Sequence, residues 1–419
     1  MKTIGIIAEY NPFHNGHEFQ INEAKHISGA EYVVVILSGN YVQRGTPAIL
    51  DKYSRTKMAL LNGADLVFEL PVSYATASAE AFAFGGVSLL NSLGFIDGIS
   101  FGCETKHLSV LQEIASLFLE EPLFYQQQLS SFLKQGISFP ASRSKAALAY
   151  FTSAKSNTLK ELPISFEELQ EILMHPNNIL AIEYLKALKL LSSNITPVPI
   201  LRKQSGYHST DLSGTICSAT ALRNAYETER NLQAFTSFIP NSVFSILVEQ
   251  EQKTFPIYAD DFSSLLYYKL LQTTDFSPYT DISKDFGKRI QKTDKKEFHF
   301  TTFAEQLKSK DIVYSRVCRN LLHVLLDIKD MNYKKQPEYL RLLGFRRNAS
   351  HLIKSGATSA FHPAVPVITK VADGKSKLSS RGVAMLEQDC MASHLYNHIC
   401  YEKFGYIAKS EYEQGPVIL

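Results

Sequence analysis

The first seventeen residues constrain the fold of this 419-residue chain more than any other stretch. The apolar run Thr3–Glu9 has the length of a β-strand, and a helical pattern begins at about Glu18. Between them, the Asn11-Pro12 pair excludes helix at Asn11, and Gly16 stands where the helix opens. The free N–H groups and positive dipole end of such a helix face an anion above the strand. The stretch therefore predicts a phosphate-binding strand–loop–helix unit.

Two histidines three residues apart, His14 and His17, bracket the start of this helix. At that spacing both imidazole rings can reach one phosphate group. The short pattern His-x-Gly-His also recurs by chance, and the alternative is that both histidines cap an ordinary strand–helix loop. The position of the pattern directly after a first strand favours the phosphate site.

The order of strands and helices behind this unit predicts an α/β fold. Residues 32–38, 66–70 and 94–104 have the apolar character of buried parallel strands, and helical patterns at 51–62 and 74–93 alternate with them. This alternation predicts a Rossmann-like, doubly wound parallel sheet with right-handed crossovers. A helical excursion at about 105–170 precedes an Asn-capped helix from residue 176 and a last strand at 195–201.

Ligands bind at the carboxyl ends of the strands in such a sheet, so the residues that follow the strands are candidates for the site. Arg44 follows the second strand, Gly102 ends the fourth, and Arg202 and Lys203 follow the last. We expect the last two cations to suit a triphosphate and Gly102 to let a nucleotide approach the backbone closely. The plain alternatives are a surface-loop arginine at 44 and a turn glycine at 102.

A second stretch with chemical character is Ser218-Ala-Thr220-Ala-Leu-Arg223. Ser218 and Thr220 offer hydroxyl and N–H groups at a helix start, and Arg223 on the first turn can fold toward the same anion. The stretch is similar to the Ile-Ser-x-Thr-x-x-Arg motif that closes the active site of nucleotidyltransferases. Ser-x-Thr before a helix is also an everyday N-cap, so its weight comes from its pairing with His-x-Gly-His.

Length and composition predict a soluble cytoplasmic protein of two or three domains. No apolar run approaches the length of a membrane span. The five cysteines are scattered and form no C-x-x-C pair, which indicates reduced thiols and neither a disulfide framework nor a zinc site. We therefore expect no metal site built by the protein.

The formal net charge of +2 conceals one basic region. Residues 284–347 contain sixteen lysines and arginines against eight acidic residues, a local excess of +8 that leaves −6 for the remainder. Binding of a large polyanion by one part of the protein produces such a pattern, and so does a solvated helical surface.

From about Asn231 the pattern predicts a mainly helical region. Arg316 and Arg319 fall on one stripe of an amphipathic helix. The stretch from Tyr339 to Arg347, which includes Arg341, continues a basic surface with interleaved aromatic residues. Our candidates for contacts with a folded RNA are four arginines, Arg316, Arg319, Arg346 and Arg347. The alternative is a helical oligomerisation domain with a charged, solvated face.

Taken together, the motifs resemble the bacterial tRNA(Met) cytidine acetate ligase family, a branch of the His-x-Gly-His nucleotidyltransferase superfamily. The match runs nearly from end to end through Glu9-Tyr-Asn-Pro-Phe-His-Asn-Gly-His17, Leu37-Ser-Gly-x-x-x-Gln-Arg-Gly45, Asp65-Leu-Val-x-Glu-Leu-Pro71, Phe101-Gly-x-Glu104, Pro176-Asn-Asn-Ile-Leu180, Ser218-Ala-Thr-x-x-Arg223 and Leu342-Leu-Gly-Phe345. The C-terminal half matches more loosely.

The resemblance implies an ATP-dependent ligase with a nucleotidyltransferase-type fold. In this family acetate attacks the α-phosphate of ATP to give acetyl-adenylate and pyrophosphate. The acetyl group then passes to N4 of the wobble cytidine of elongator tRNA(Met), which forms N4-acetylcytidine. The resemblance further implies a catalytic domain at 1–230, a basic tRNA-binding domain at 231–419, Mg²⁺ on the phosphates, and neither a membrane nor DNA as a partner.

Carried over by position, the family assigns catalysis to His14 and His17, which would stabilise the adenylation transition state. It assigns ATP binding to Ile7, Ala8, Glu9, Tyr10, Asn11, Pro12, Phe13, His14, Asn15, Gly16, His17, Gln20, Gly102, Asn177, Arg202, Lys203, Ser218, Thr220 and Arg223.

Two other hypotheses share parts of this pattern. A small-molecule nucleotidyltransferase that adenylylates a coenzyme precursor would use the same site, although such enzymes usually end near the Ser-x-Thr-x-x-Arg motif and this chain continues for nearly two hundred residues. A non-catalytic RNA-binding protein on a decayed fold would not need His14, His17 and Arg223, all of which are intact.

Overall fold

A computed structural model describes residues 2–153, 164–202, 217–329, 331–353 and 363–419. The strands are β1 (Thr3–Ala8), β2 (Tyr32–Ser38), β3 (Tyr41–Val42), β4 (Thr46–Pro47), β5 (Leu66–Leu70), β6 (Gly98–Cys103), β7 (Thr196–Leu201), β8 (Leu340–Phe345), β9 (Val367–Ile368) and β10 (Val417–Ile418).

The α-helices among the described residues fall into two groups. The first group is α1 (Asn15–Ser28), α2 (Lys52–Leu61), α3 (Val72–Ala75), α4 (Ala79–Leu93), α5 (Leu108–Glu120), α6 (Leu123–Lys134), α7 (Phe139–Thr152), α8 (Phe166–Met174), α9 (Pro176–Leu190) and α10 (Ala219–Glu229). The second is α11 (Asn241–Gln250), α12 (Ser263–Gln272), α13 (Lys284–Lys292), α14 (Phe300–Leu307), α15 (Tyr314–Leu325), α16 (Val371–Gly374) and α17 (Ser380–Phe404).

One mostly parallel sheet, in the order β10-β8-β5-β2-β1-β6-β7, forms the centre of the molecule. Strands β5, β2, β1, β6 and β7 run parallel, with Thr3 opposite Tyr32 and Ala8 opposite Leu37 in the central pair. The predicted doubly wound α/β fold is confirmed. Because these strands are parallel, their carboxyl ends meet at one edge, called here the carboxyl edge.

Helices cover both faces of the sheet and bury it. One face packs on α4, α9 and the excursion helices, and the other packs on α1, α2, α10 and α11. The helices of the C-terminal region form a third apolar core around Phe286, Phe303 and Leu321. No described helix combines the length and apolar character needed to cross a membrane.

The C-terminal region is mainly helical, as predicted, but it also returns to the sheet. Strand β8 pairs antiparallel with β5, with Leu66 opposite Phe345, and β9 and β10 pair with β8. The prediction that Tyr339 and Arg341 belong to a basic surface is wrong, because both side chains are buried. Arg341 instead lies 3.7 Å from the Glu411 carboxylate. The domain boundary at residue 230 stays a prediction.

Candidate active site

The His-x-Gly-His sequence folds into a capping box at the start of α1. His14 is the N-cap residue, and its Nδ1 accepts the Gly16 N–H at 3.1 Å. The His17 ring reaches back, and its Nδ1 accepts the His14 N–H at 3.2 Å. The histidines therefore do cap the helix, which was the plain alternative, and this capping fixes how both rings point.

These bonds also decide which ring nitrogen carries the proton. A neutral imidazole has one donor and one acceptor nitrogen, so two acceptor Nδ1 atoms place both protons on Nε2. The rings stack with centroids 3.7 Å apart. Neither Nε2 has a hydrogen-bond acceptor among the described residues, so the pair offers two parallel N–H donors to a ligand.

Both imidazoles are neutral near pH 7. Burial lowers the pKa of His14 to about 3, and the charges of Arg202 and Arg223 act in the same direction. Burial, His14 and Arg202 likewise hold the pKa of His17 well below its ordinary value. The positive charge that meets an anion here therefore comes from the arginines, while the histidines contribute hydrogen bonds.

Arg223 joins the second motif to the first. Ser218 is the N-cap of α10, where its Oγ accepts the Ala221 N–H at 3.0 Å. The Arg223 guanidinium donates to Thr220 Oγ1 at 3.0 Å and to the Asn11 carbonyl at 2.6 Å. Burial, opposed by Glu9 and assisted by Arg44, lowers the Arg223 pKa to about 10, so this side chain stays charged at neutral pH.

A third group of side chains closes the β6–β7 side of the site. Glu104 accepts from the Asn177 side chain and, at 2.9 Å, from the Asn178 N–H, while the Glu104 N–H donates to Asn178 Oδ1 at 2.8 Å. Arg202 donates to Asn177 Oδ1 at 3.2 Å. The motifs around residues 101–104 and 176–180 are therefore partners that orient Arg202.

The same contacts correct one helix boundary and explain one glycine. Residue 175, not an asparagine, is the N-cap of α9, with Pro176 in the first turn, so the predicted Asn cap is wrong. Both asparagines instead bond to Glu104. A Cβ on Gly102 would lie 3.3 Å from Arg202 Cγ, so this glycine makes room for the arginine that crosses it.

The other predicted nucleotide-binding residues before Gly102 lie on β1, in the loop after it and on α1. Ile7 and Ala8 end β1 at the carboxyl edge, Glu9 directly follows them, and all three are half-buried. The rings of Tyr10 and Phe13 pack on His17 with centroids 4.8 and 5.5 Å away. Pro12 is buried in the same loop, Asn15 donates to the Ser237 carbonyl at 3.0 Å, and Gln20 lies half-buried on α1. Lys203 lies outside the described residues.

Comparisons with known proteins identify the family of this chain. A family model described as HIGH Nucleotidyl Transferase matches residues 1–411. The tRNA(Met) cytidine acetate ligase of Thermoanaerobacter sp. (strain X514) is 39% identical over 94% of this chain and 95% of its own. That of Halothermothrix orenii is 35% identical over 95% and 94%.

The chain belongs to the tRNA(Met) cytidine acetate ligase family. A solved relative extends the match to three dimensions: Thermotoga maritima TmcAL bound with alpha-thio ATP has a TM-score of 0.87 and 28% identity, with 100% of both chains covered. The same protein without ligand has a TM-score of 0.90 at the same identity and coverage.

Arg55 is a residue near this site that none of the sequence motifs singled out. It is fully buried on α2 and donates to backbone carbonyls at the ends of β1 and β2. The signal was present, because Arg55 is spaced three and four residues from the buried Met58 and Ala59 and so shares their face of the helix. An arginine on the apolar face of a helix indicates a buried polar role.

The four predicted RNA-binding arginines do not form one surface. Arg316 and Arg319 lie on α15, whose backbone approaches the β3–β4 hairpin so closely that a Cβ on Gly45 would lie 2.2 Å from Arg319 N. Arg346 and Arg347 follow β8 beside Asp65 and Leu419. That position is the amino end of β5, roughly 17–20 Å of strand length from the carboxyl edge.

The donor set at the site does not form a protein cage for a metal ion. The described residues contain no group of three His, Cys, Asp or Glu side chains that could hold one. Mg²⁺ characteristically binds through substrate phosphates and water with one or two carboxylates. A magnesium ion at this site would therefore be held chiefly by ATP, with Glu9 as a nearby carboxylate.

Proposed function

We propose that this protein is an ATP-dependent ligase that activates acetate as acetyl-adenylate and transfers the acetyl group to N4 of the wobble cytidine of elongator tRNA(Met). The observation that carries the proposal is the pair of neutral Nε2–H donors on His14 and His17, surrounded by Arg202 and Arg223. The relatives' shared name supports the substrate, and the nucleotide bound to the Thermotoga relative supports ATP.

In the first step an acetate oxygen attacks the α-phosphorus of ATP and pyrophosphate leaves. Negative charge grows on the non-bridging and leaving oxygens, so donors already aimed at them stabilise the transition state more than the ground state. We assign the two Nε2–H groups to these oxygens. Because the capping box holds both rings in place, little reorganisation is needed during the reaction.

In the second step N4 of the cytidine attacks the acetyl carbonyl carbon of the mixed anhydride, AMP leaves, and the nitrogen loses a proton. The exocyclic amine of an aromatic ring is a poor nucleophile, which is why the acyl group must first be activated. Mg²⁺ enters in our proposal as part of the substrate MgATP and neutralises phosphate charge. A cytoplasmic location follows from these substrates, with neither DNA nor a membrane as a partner.

Binding of tRNA is supported by a surface that we call the lysine ridge, formed by Lys284, Lys288, Lys292 and Lys296. All four are exposed, and the first three lie four residues apart on α13, about 6 Å along its axis. In the described part of the chain no carboxylate lies within ion-pair distance of these four ammonium groups. Other lysines with exposed side chains do have such partners, for example Lys57 at 3.3 Å and Lys375 at 2.6 Å from a glutamate. Cations in a row without acidic partners suit a phosphodiester backbone.

The test is nucleoside mass spectrometry of elongator tRNA(Met) incubated with the protein, ATP and isotopically labelled acetate. We expect labelled N4-acetylcytidine from the intact protein and none from His17→Ala. If ATP binds but no label reaches the tRNA, the ligase proposal fails and adenylylation of a small coenzyme precursor becomes the better function.

A further inference from the structure

Arg55 is a fully buried arginine whose donors reach four backbone carbonyl groups. Its Nε donates to the Leu50 carbonyl at 2.9 Å. One terminal nitrogen donates to the carbonyls of Glu9 at 2.6 Å and Ser38 at 3.0 Å, and the other donates to that of Gly39. The side chain is 0% exposed, so these carbonyls replace water around the guanidinium.

The charge of Arg55 has no carboxylate partner at ion-pair distance among the described residues. Burial lowers the pKa of Arg55 and outweighs the opposing influence of Tyr396 and of the carboxyl groups of Asp51, Glu9 and Glu69. A buried guanidinium without a counter-charge is expensive unless its hydrogen bonds are satisfied. Here the four carbonyls supply those bonds, so the position of Arg55 is tied to the positions of the loops that carry them.

The bonded carbonyls share a position at the carboxyl edge. Glu9 directly follows β1, Ser38 is the last residue of β2 and Gly39 follows it, so Arg55 links the two central strands where each opens into a loop. Carbonyl oxygens at this edge carry partial negative charge and would repel the phosphates of ATP. A guanidinium that donates hydrogen bonds to these carbonyls offsets this repulsion and fixes the distance between the loops.

Bonds on both sides of Arg55 extend the link to the histidine loop. Asn11 Oδ1 accepts the Ile49 N–H at 2.7 Å, and Glu9 Oε1 accepts the Gln43 N–H at 2.8 Å. The loop at 9–17 and the segment at 39–50 are therefore bonded at several points around one buried cation.

We propose that Arg55 is a positioning residue for adenylation, which holds the loop of His14 and His17 in register with the loop after β2 and masks the carbonyls beneath the phosphates. The inference rests on the proposed function, since it concerns the same nucleotide site. It adds a residue that does not touch the reacting atoms and acts through Glu9, Ser38 and Gly39.

The experiment compares three variants in acetate-dependent exchange of labelled pyrophosphate into ATP, which needs no tRNA, together with the affinity for a non-hydrolysable ATP analogue. Arg55→Lys keeps the charge but cannot reach all four carbonyls, and Arg55→Ala removes both. Arg341→Met is the matched control, because Arg341 is also a buried arginine but forms an ion pair with Glu411 and donates to the carbonyls of Ile368 and Gln414.

We expect Arg55→Lys to lower kcat for exchange about 10- to 100-fold. Low concentrations of guanidinium ion should restore part of the exchange activity of Arg55→Ala and should have no effect on the control. Arg341→Met should lower the melting temperature while the folded enzyme keeps its kcat and KM for ATP.

Two results would overturn the inference. One is that Arg55→Lys lowers only the melting temperature, with kcat and KM for ATP unchanged in the folded enzyme. The other is that Arg341→Met reduces kcat as much as Arg55→Lys does. Failure of the proposed function is distinguishable from both, because then the unaltered protein would show no acetate-dependent exchange.

Discussion

Polar side chains are held in fixed orientations at the nucleotide site and are exposed on the lysine ridge. At the site, His14 is buried, His17 and Arg223 are half-buried, and each is oriented by bonds to the backbone or to Thr220. On the ridge the lysines are exposed and have no acidic partner at ion-pair distance among the described residues. A group that stabilises a transition state gains from being held in place before the substrate arrives, whereas a group that follows a phosphate backbone gains from being accessible.

We expect the largest loss of activity when one oriented hydrogen-bond donor is removed without disturbing the helix that carries it. In His14→Asn, the side-chain oxygen can still accept the Gly16 N–H as an N-cap, but the Nε2–H is lost. We expect acetate-dependent pyrophosphate exchange to fall about 10²- to 10³-fold with little change in melting temperature. His299→Ala is the control, because His299 precedes α14 without a side-chain cap bond. Equal exchange rates in the two variants would contradict the assigned role of His14.

Neutralising the exposed lysines of the ridge should have a smaller effect, and that effect should be on tRNA binding instead of adenylation. We expect Lys284→Gln, Lys288→Gln and Lys292→Gln together to raise KM for tRNA. The slope of log affinity for tRNA against log salt should fall by about 2 to 3, since each lost phosphate contact removes roughly 0.7–0.9. Pyrophosphate exchange without tRNA serves as the internal reference.

Arg346 and Arg347, at the opposite edge of the sheet, provide a comparison for this prediction. Arg346→Gln with Arg347→Gln removes two positive charges near the amino end of β5, the same number that Lys288→Gln with Lys292→Gln removes from the ridge. If the ridge carries the tRNA, this pair should alter the salt slope less than the lysine variants do. A larger change from the arginine pair would move the proposed RNA surface to the amino end of the sheet.

The smallest expected effect is on the pH dependence of stability, and it comes from the buried carboxyl group of Asp389, outside both regions. Burial, with Glu69 adding to it, raises the pKa of Asp389 to about 8, while its Oδ1 accepts the Val72 N–H at 2.7 Å. The folded protein therefore holds a proton that the unfolded chain releases above its pKa of about 3.9. This contribution to stability is fully present below about pH 4 and is lost as the pH rises toward 8.

The measurement for Asp389 is the free energy of unfolding in urea between about pH 5 and pH 8. We expect the decline, up to about 1.4 kcal/mol per pH unit from this one group, to flatten in Asp389→Asn. The amide preserves the acceptor for Val72 and removes the titration. An unchanged pH dependence in Asp389→Asn would show that Asp389 does not titrate in this range.

The features that could be predicted from the sequence are those that depend on neighbours along the chain. The start of α1 lies within a few residues of β1, so an apolar run, an Asn-Pro break and His-x-Gly-His were enough to predict the strand, the loop and the helix that carry the histidines. The central parallel strands were predicted for the same reason, because each has its own continuous apolar run.

The contacts that orient the site depend instead on residues far apart in the chain. Arg223 donates to the Asn11 carbonyl across more than two hundred residues, and Glu104 accepts from Asn177 and Asn178. Arg55 donates to carbonyls at the ends of two strands. A sequence pattern shows which residues can donate or accept hydrogen bonds, but not which distant partners they find.

The sequence by itself determined the α/β fold, the phosphate-binding helix start and the family, because these follow from local periodicity and contiguous motifs. Only the tertiary structure decided that β8 joins the sheet, that Arg341 is buried, and that Arg346 lies at the opposite edge from His17. The physical reason is that charge and hydropathy along a strand do not show whether a buried arginine will form an ion pair with a carboxylate far away in the chain, here Glu411.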